Sequence, residues 1–265
     1  MSDDCSGYRH HGTATGTFTI QESTEGRNGT VTKFGEKSYI ACGRGPMVRD
    51  AITVNWWGHL NDWTAYSSTS LRAISCTENG GWNFEPSSSK MSFVCGTGAI
   101  SNTYKSAVGT TTFDKYASGW HMFTGTYDGF SIKIYVDGKL EKTVSAYTTK
   151  TPIFYHASNS IFIGAEAAGY ATTPDGTYHF SNGMISDVRI YCTALSAEAI
   201  LNLYENTGSI SKNGDLFAYK FKEVSSGNAK SVQNGTFLSK TFTERTDARK
   251  QFSIKKDASA LCTHL

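Results

Sequence analysis

The chain has 265 residues, a formal net charge of +2, 18% charged and 13% aromatic side chains, and only 4 prolines. No long run of one sign occurs, so the electrostatic footprint of a nucleic-acid or anionic-membrane binder is lacking, and no apolar run approaches the ~20 residues of a membrane-spanning helix. Abundant Gly, Ser and Thr point instead to many strands joined by tight turns, in one large core with an appendage rather than in two equal domains.

The N-terminus, MSDDCSGYRHHGT, lacks the basic start and apolar centre of a secretory signal, and synthesis in the cytosol is expected. Cys5, Cys42, Cys76, Cys95, Cys192 and Cys262 form no C-x-x-C pair, which favours reduced thiols behaving as small apolar residues. Strand-like segments follow at 16–21, 38–41, 51–58, 70–76 and 91–95. Within them Trp56 and Trp57 are adjacent on a strand and must face opposite sides. Together with Trp63 they form an aromatic cluster.

Residues 119–140 read GWHMFTGTYDGFSIKIYVDGKL. Phe130, Ile132, Ile134 and Val136 alternate with Ser131, Lys133 and Tyr135, the period-2 pattern of a strand with one covered face. Asp128-Gly129 and Asp137-Gly138 suit two-residue type I′ turns, which predicts an antiparallel meander over 120–127, 130–136 and 139–145. Further strands are expected at 160–165 and 184–191. After Ser196, a good N-cap, AEAILNLYENT places Ile200, Leu203 and Tyr204 on one helical face, and Gly208 ends the helix. One short helix among many strands predicts an all-β sandwich or barrel.

Beyond the helix a short repeat begins. SISKNGDLFAYKFKE (209–223) is echoed by KSVQNGTFLSKTFTE (230–244), with Asn213-Gly214 returning as Asn234-Gly235 and Phe221 as Phe242, each 21 residues on; a third, degraded copy starts at Phe252. Each copy looks like a strand, an Asn-Gly turn and a strand. A lone hairpin is marginal in water, so these units must stack on one another, on the sandwich or on other chains. The expected division is a sandwich over 1–207 and a stem or assembly module over 208–265.

Four stretches carry a resemblance: DCSGYRHHGT (4–13), SCTENGGWNFE (75–85), WHMFTGTYDGFSIKIYVDGKL (120–140) and FSNGMISDVRIYCTALSAEAILNLYENT (180–207). In order and spacing they resemble the laminin-G-like, concanavalin A-like jelly-roll family, which implies a jelly-roll β-sandwich with one short helix. The trailing repeats are similar to those at the ends of tail and minor structural proteins of bacteriophages infecting Firmicutes. The combination implies a virion adhesion or structural protein made in the host bacterial cytoplasm, a homotrimer meeting other virion proteins and a host cell-surface glycan or receptor, with no nucleic-acid partner and no membrane insertion. The alternative is a non-enzymatic capsid decoration or head-fibre subunit that docks rather than binds receptor.

Glycanases on this fold carry E-x-D-x-E on one strand. No such triplet, no G-x-S-x-G and no H-E-x-x-H occurs, and no enzymatic activity is expected. Sugar binding needs an aromatic face beside hydrogen-bonding groups. Glu78, Asn79 and Trp82 form one such candidate loop, with Trp82 serving alternatively as core packing. Tyr170, Asp175, Tyr178 and His179 form a second, on a long polar loop. By family resemblance a structural calcium ion is the cofactor to consider, with Asp3, Asp4 and Asp187 as ligands; Asp4 as a turn residue and Asp187 as a hydrogen-bonded edge carboxylate are the alternatives. His10-His11 lacks spaced metal-ligand partners and is expected to be solvated.

Overall fold

The computed structural model describes residues 12–22, 30–45, 47–67, 71–98, 103–167, 172–180, 182–205, 215–219, 221–225 and 228–231. In chain order the strands begin with β1 (Thr13–Thr15), β2 (Phe18–Glu22), β3 (Thr30–Phe34), β4 (Tyr39–Ala41), β5 (Ile52–Leu60), β6 (Ile74–Cys76), β7 (Trp82–Ser87) and β8 (Lys90–Gly96). They continue with β9 (Tyr104–Thr112), β10 (Gly119–Tyr127), β11 (Ser131–Val136), β12 (Lys139–Ser145), β13 (Phe162–Ile163), β14 (Ala165–Ala167), β15 (Pro174–His179) and β16 (Met184–Tyr191). Helix α1 (Ala197–Glu205) follows, and then β17 (Asp215–Tyr219), β18 (Phe221–Ser225) and β19 (Asn228–Ser231).

Two antiparallel sheets face each other, one ordered β1-β4-β13-β6-β7-β8-β9 and the other β12-β11-β10-β5-β16-β3-β2. Alternation along each strand sends one set of side chains between them. Trp82 and Phe84 of β7 and Phe93 of β8 meet Ile132 and Ile134 of β11, and Trp56 and Phe123 from β5 and β10, in one buried cluster. Trp56 stacks on Phe123 with centroids 4.7 Å apart and sits edge-on to Phe84 and Phe180, contacts that each add ~0.5–1.5 kcal/mol beyond area burial. Trp63, on a short 3-10 turn, completes this aromatic centre and donates its indole N–H to the Gly119 carbonyl at 3.0 Å.

Both outer faces are partly covered. Trp57 points away from Trp56 and lies with Met122 and Tyr135 beneath α1, where Ile200 is buried and Tyr204 stacks on Trp57 at 5.6 Å. Ser196 caps that helix, its Oγ accepting the Ala199 N–H at 3.1 Å. Across the molecule, Phe162, Ala165 and Ala167 pack with Tyr39 and Ala41 on the outer face of the other sheet.

The meander has the expected order, and Asp137 (φ 49°) and Gly138 (φ 77°) both take the positive φ of a type I′ turn. The first Asp-Gly pair differs. There Gly129 has positive φ, whereas Asp128 accepts the Phe130 and Ser131 N–H groups through Oδ1 at 2.9 and 2.7 Å, making an Asx-type turn. Phe130 therefore lies at the turn, 42% exposed, rather than on the inner face with Ile132, Ile134 and Val136. Residues 160–165 divide into β13 and β14, and the segment read as a long loop before His179 is a hairpin of β14 with β15, pairing Ala165 with His179 and Ala167 with Pro174. In the C-terminal segment β17 pairs with β16, Val188 opposite Tyr219, while β18 and β19 form a hairpin. Asn213-Gly214, Asn234-Gly235, Phe242 and the copy from Phe252 lie outside the described residues.

Candidate functional site

At one end of the sandwich the Glu78–Trp82 segment runs beneath residues 152–155. Gly81 donates its N–H to the Phe154 carbonyl at 2.6 Å and accepts the Gly96 N–H at 2.7 Å, while the Phe154 N–H bonds the Gly96 carbonyl at 3.0 Å. Gly80 is bridged to Tyr155, and its N–H donates to the Tyr104 hydroxyl at 3.0 Å. A β-carbon on Gly80, where φ is +114°, would stand 2.3 Å from the Phe154 carbonyl oxygen and 2.8 Å from its ring. Only glycine permits this approach.

The strap that these glycines support lines an open cleft of about 390 Å³ with Arg49, Gly98, Lys150, Thr151, Pro152, Phe154 and Tyr155. Tyr155 donates its hydroxyl to the Val48 carbonyl at 2.7 Å, and burial holds that hydroxyl protonated well above the usual tyrosine range. Its ring rather than its proton is thus offered. Beside Gly98, Thr97 bonds the Tyr147 hydroxyl, and the Lys105 ammonium lies 5.9 Å above the Tyr147 ring, a cation–π contact. Aromatic faces and cations therefore occupy the same rim.

A second polar cluster lies on the outer face of the β6–β7 sheet, where Asn83 and Glu85 alternate with the inward Trp82 and Phe84. Glu166, 3% exposed, accepts from Thr77 Oγ1 at 2.8 Å and Asn83 Nδ2 at 2.7 Å and pairs with Arg72 Nε at 2.8 Å. Glu85 accepts from the same Asn83 nitrogen at 3.2 Å and from Arg72 Nη2 at 3.4 Å. Sharing Asn83 brings the two carboxylates within ~6 Å, close to the separation of a glycosidase pair. Here, however, one guanidinium spans both carboxylates, and Glu166 is enclosed with both oxygens engaged. The network neutralises charge and ties β14 to β6 and β7; an enclosed carboxyl cannot reach a glycosidic oxygen.

The sequence-derived candidates are dispersed. Trp82 is fully buried in the core, as the packing alternative had it. Glu78 is half-buried and its carbonyl accepts Asn159 Nδ2 at 2.5 Å. Asn79 is buried with φ 63°. His179 is buried with its ring 6.2 Å from that of Tyr39. Asp175 and Tyr178 lie on β15, but their side chains, like Tyr170, fall outside the described residues, as do Asp3, Asp4, His10 and His11. Asp187 is buried at a bulge of β16, with φ 47° and Arg189 Nη2 at 3.6 Å. A carboxylate enclosed beside a guanidinium is a poor calcium ligand, and the described residues contain no group of three or more His, Cys, Asp or Glu placed to hold a metal. The cleft residues Arg49, Lys150, Phe154 and Tyr155 carried no local signal, since they meet only through folding.

The model of the concanavalin A-like lectin/glucanases superfamily matches residues 34–201, and a search of curated proteins gives no match. Among solved structures, the binding domain of botulinum neurotoxin serotype G is similar with TM-score 0.55 and 19% identity, over 79% of this chain and 49% of that one. Domain 4 of AbnA, a GH43 extracellular arabinanase from Geobacillus stearothermophilus, in complex with arabinotriose, gives TM-score 0.53 and 17% identity over 73% and 88%. The botulinum neurotoxin serotype D ligand binding domain, in complex with N-acetylneuraminic acid, gives 0.52 and 17% over 76% and 47%. The chain thus spans about half the length of the neurotoxin domains, and at these identities the likeness concerns fold alone. With the family model covering more than half of the residues and the two-sheet sandwich in place, this chain belongs to the concanavalin A-like lectin/glucanases superfamily.

Proposed function

We propose that this is a non-enzymatic adhesion protein of a bacteriophage virion, with residues 1–207 as a lectin-like head that binds a host cell-surface glycan or receptor. The observation that carries the glycan reading is the cleft framed by Arg49, Lys150, Phe154 and Tyr155, where half-buried aromatic rings and hydrogen-bond donors share one concavity, the combination that sugar recognition requires. Domains of the same fold were solved holding arabinotriose and N-acetylneuraminic acid, which agrees with this use of the fold. The virion placement rests on the likeness of the 208–265 repeats to phage tail proteins. On this reading the repeats form a stem that assembles the chain as a homotrimer with other virion proteins after synthesis in the bacterial cytoplasm, and three weak sites gain strength by avidity. A calcium ion held by Asp3 and Asp4 would complete the head.

One observation favours the second reading, a decoration or head-fibre subunit: β17 extends the sandwich through β16 instead of standing apart from it. Binding of the purified full-length chain to a glycan array, together with its native mass with and without EDTA, separates the two. Saturable glycan binding by a trimer supports the adhesin. A monomer that binds no glycan refutes it and favours docking.

A further inference from the structure

We infer that the cleft takes an acidic sugar unit, one bearing a carboxylate or phosphate, an inference that rests on the glycan-binding reading and narrows it. Most polar groups that line the cleft are already bonded within the chain. The Gly98 N–H donates to the Pro152 carbonyl at 3.1 Å, the Thr151 N–H to the Gly129 carbonyl at 2.9 Å, and both the N–H and the carbonyl of Phe154 are bonded to the neighbouring glycines. Thr151 Oγ1 donates to the Thr149 carbonyl at 3.1 Å, its own carbonyl accepts the Tyr127 hydroxyl at 2.6 Å, and the Tyr155 hydroxyl is spent on Val48. Of the side-chain donors described there, the Arg49 guanidinium and the Lys150 ammonium remain for a ligand.

Among the described residues Arg49 has no ion pair, and Lys150 pairs with Asp50 alone, at 3.7 Å, with the Lys150 and Asp50 side chains both more than half exposed, a contact worth little in water. Among the described residues that line the cleft there is no carboxylate, carboxamide or imidazole. A neutral sugar offers hydroxyls that both donate and accept, and its donors would find few acceptors here. An anionic group offers acceptors alone. It matches the planar fork of arginine and the point charge of lysine, while the ring carbons of the sugar meet Phe154 and Tyr155. Lys105, over Tyr147 beside Gly98, extends the positive rim toward a second charge along a polymer.

The test is titration calorimetry of the full-length protein with three probes: a hyaluronan oligosaccharide carrying carboxylates, a poly(glycerol phosphate) carrying glycosyl groups, and a neutral cello-oligosaccharide of matched length. The expected result is binding of at least one charged probe, weakened as salt is raised, no measurable binding of the neutral probe, and a loss of about tenfold or more in R49Q and again in K150Q. The two charged probes distinguish a carboxylate from a phosphate ligand. Equal binding of neutral and charged probes, or R49Q/K150Q binding as wild type with an unchanged melting temperature, overturns the acidic-ligand inference while leaving glycan binding intact. Failure of all three probes, together with an empty glycan array, overturns both.

Discussion

The Arg72–Glu166 pair is a buried ion pair, and Glu166→Gln removes the charge while keeping the shape. Arg72 and Glu166 are 8% and 3% exposed, so the substitution leaves a guanidinium in a largely dry site. Losing one partner of a buried pair costs ~3–5 kcal/mol. Glu85 stays at 3.4 Å but is one-third exposed, which retains part of the compensation, and an amide oxygen in the place of Oε1 still accepts from both Thr77 and Asn83 while the amide nitrogen is left against Arg72. The expected loss is therefore at the low end, ~3 kcal/mol. In urea, with a slope of ~2 kcal/mol/M, the midpoint should fall by ~1.5 M, and melting by roughly 6–12 °C for a domain of this size. The double replacement Arg72→Met with Glu166→Leu should recover most of the loss, because apolar groups of similar volume leave no charge stranded. If E166Q unfolds within ~1 kcal/mol of wild type, or if the double variant is worse than either single one, the network is not an enclosed ion pair and the argument fails.

Three further outcomes follow from the same geometry. Gly80→Ala drives a β-carbon into Phe154 and should cost ~1–3 kcal/mol and abolish glycan binding in the array, whereas a variant that binds normally would detach the strap from the site. His121 donates from Nδ1 to Asp137 Oδ2 at 2.6 Å and, when protonated, from Nε2 to the Ala117 carbonyl at 3.0 Å; burial lowers its pKa, but the hydrogen bond and charge of Asp137, with the Ala117 bond, outweigh this and raise it. A raised folded-state pKa gives stability that is complete below the unfolded value of ~6.5 and lost as pH climbs through the folded value, so urea midpoints should fall from about pH 6 upward in wild type and stay level in His121→Gln. Ser196→Ala removes the cap of α1 and should cost ~1 kcal/mol, with near-ultraviolet dichroism reporting the loosened Trp57–Tyr204 stack.

The sequence made legible what depends on neighbours along the chain. The bounds of β16 and the Ser196 cap of α1 can be read from it, as can the type I′ turn at Asp137-Gly138, since each is decided by local alternation or side-chain chemistry within a few residues. Strand β9 was not legible: YKSAVGTTT is half-exposed along its length, and an antiparallel strand with few buried positions has no apolar stripe to show. Tyr135 misled in the other direction. Alternation placed it on the solvent face, yet α1, some 60 residues later in the chain, comes back to bury it. The cleft was invisible for the same reason, because Arg49, Gly98 and Lys150 meet only after β4, β8 and β12 have each returned to one end of the sandwich. Aromatic loops drew attention to Trp82 instead, whose neighbours in sequence cannot reveal that a second sheet closes over it.

This distribution of cover also argues for where a ligand must be met. The helix rests on one outer face through Trp57, Met122 and Tyr135, and the β14–β15 hairpin is fastened over the other by Glu166. Along one open side Glu141 of β12 reaches across to accept the Thr110 and Thr111 N–H groups of β9 at 2.8 and 3.2 Å, satisfying backbone donors that would otherwise invite another strand. A charged group used in this way blunts an edge and leaves little there for recognition. The looped end, by contrast, carries exposed Arg49 and Lys150 beside a glycine-supported strap in which the Gly81, Gly98, Thr151 and Phe154 N–H groups are already bonded. A rigid scaffold with cations and ring faces at one rim is preorganised for binding, so the acidic-glycan proposal asks only for charge and shape at that end and leaves the enclosed Glu166 to its structural network.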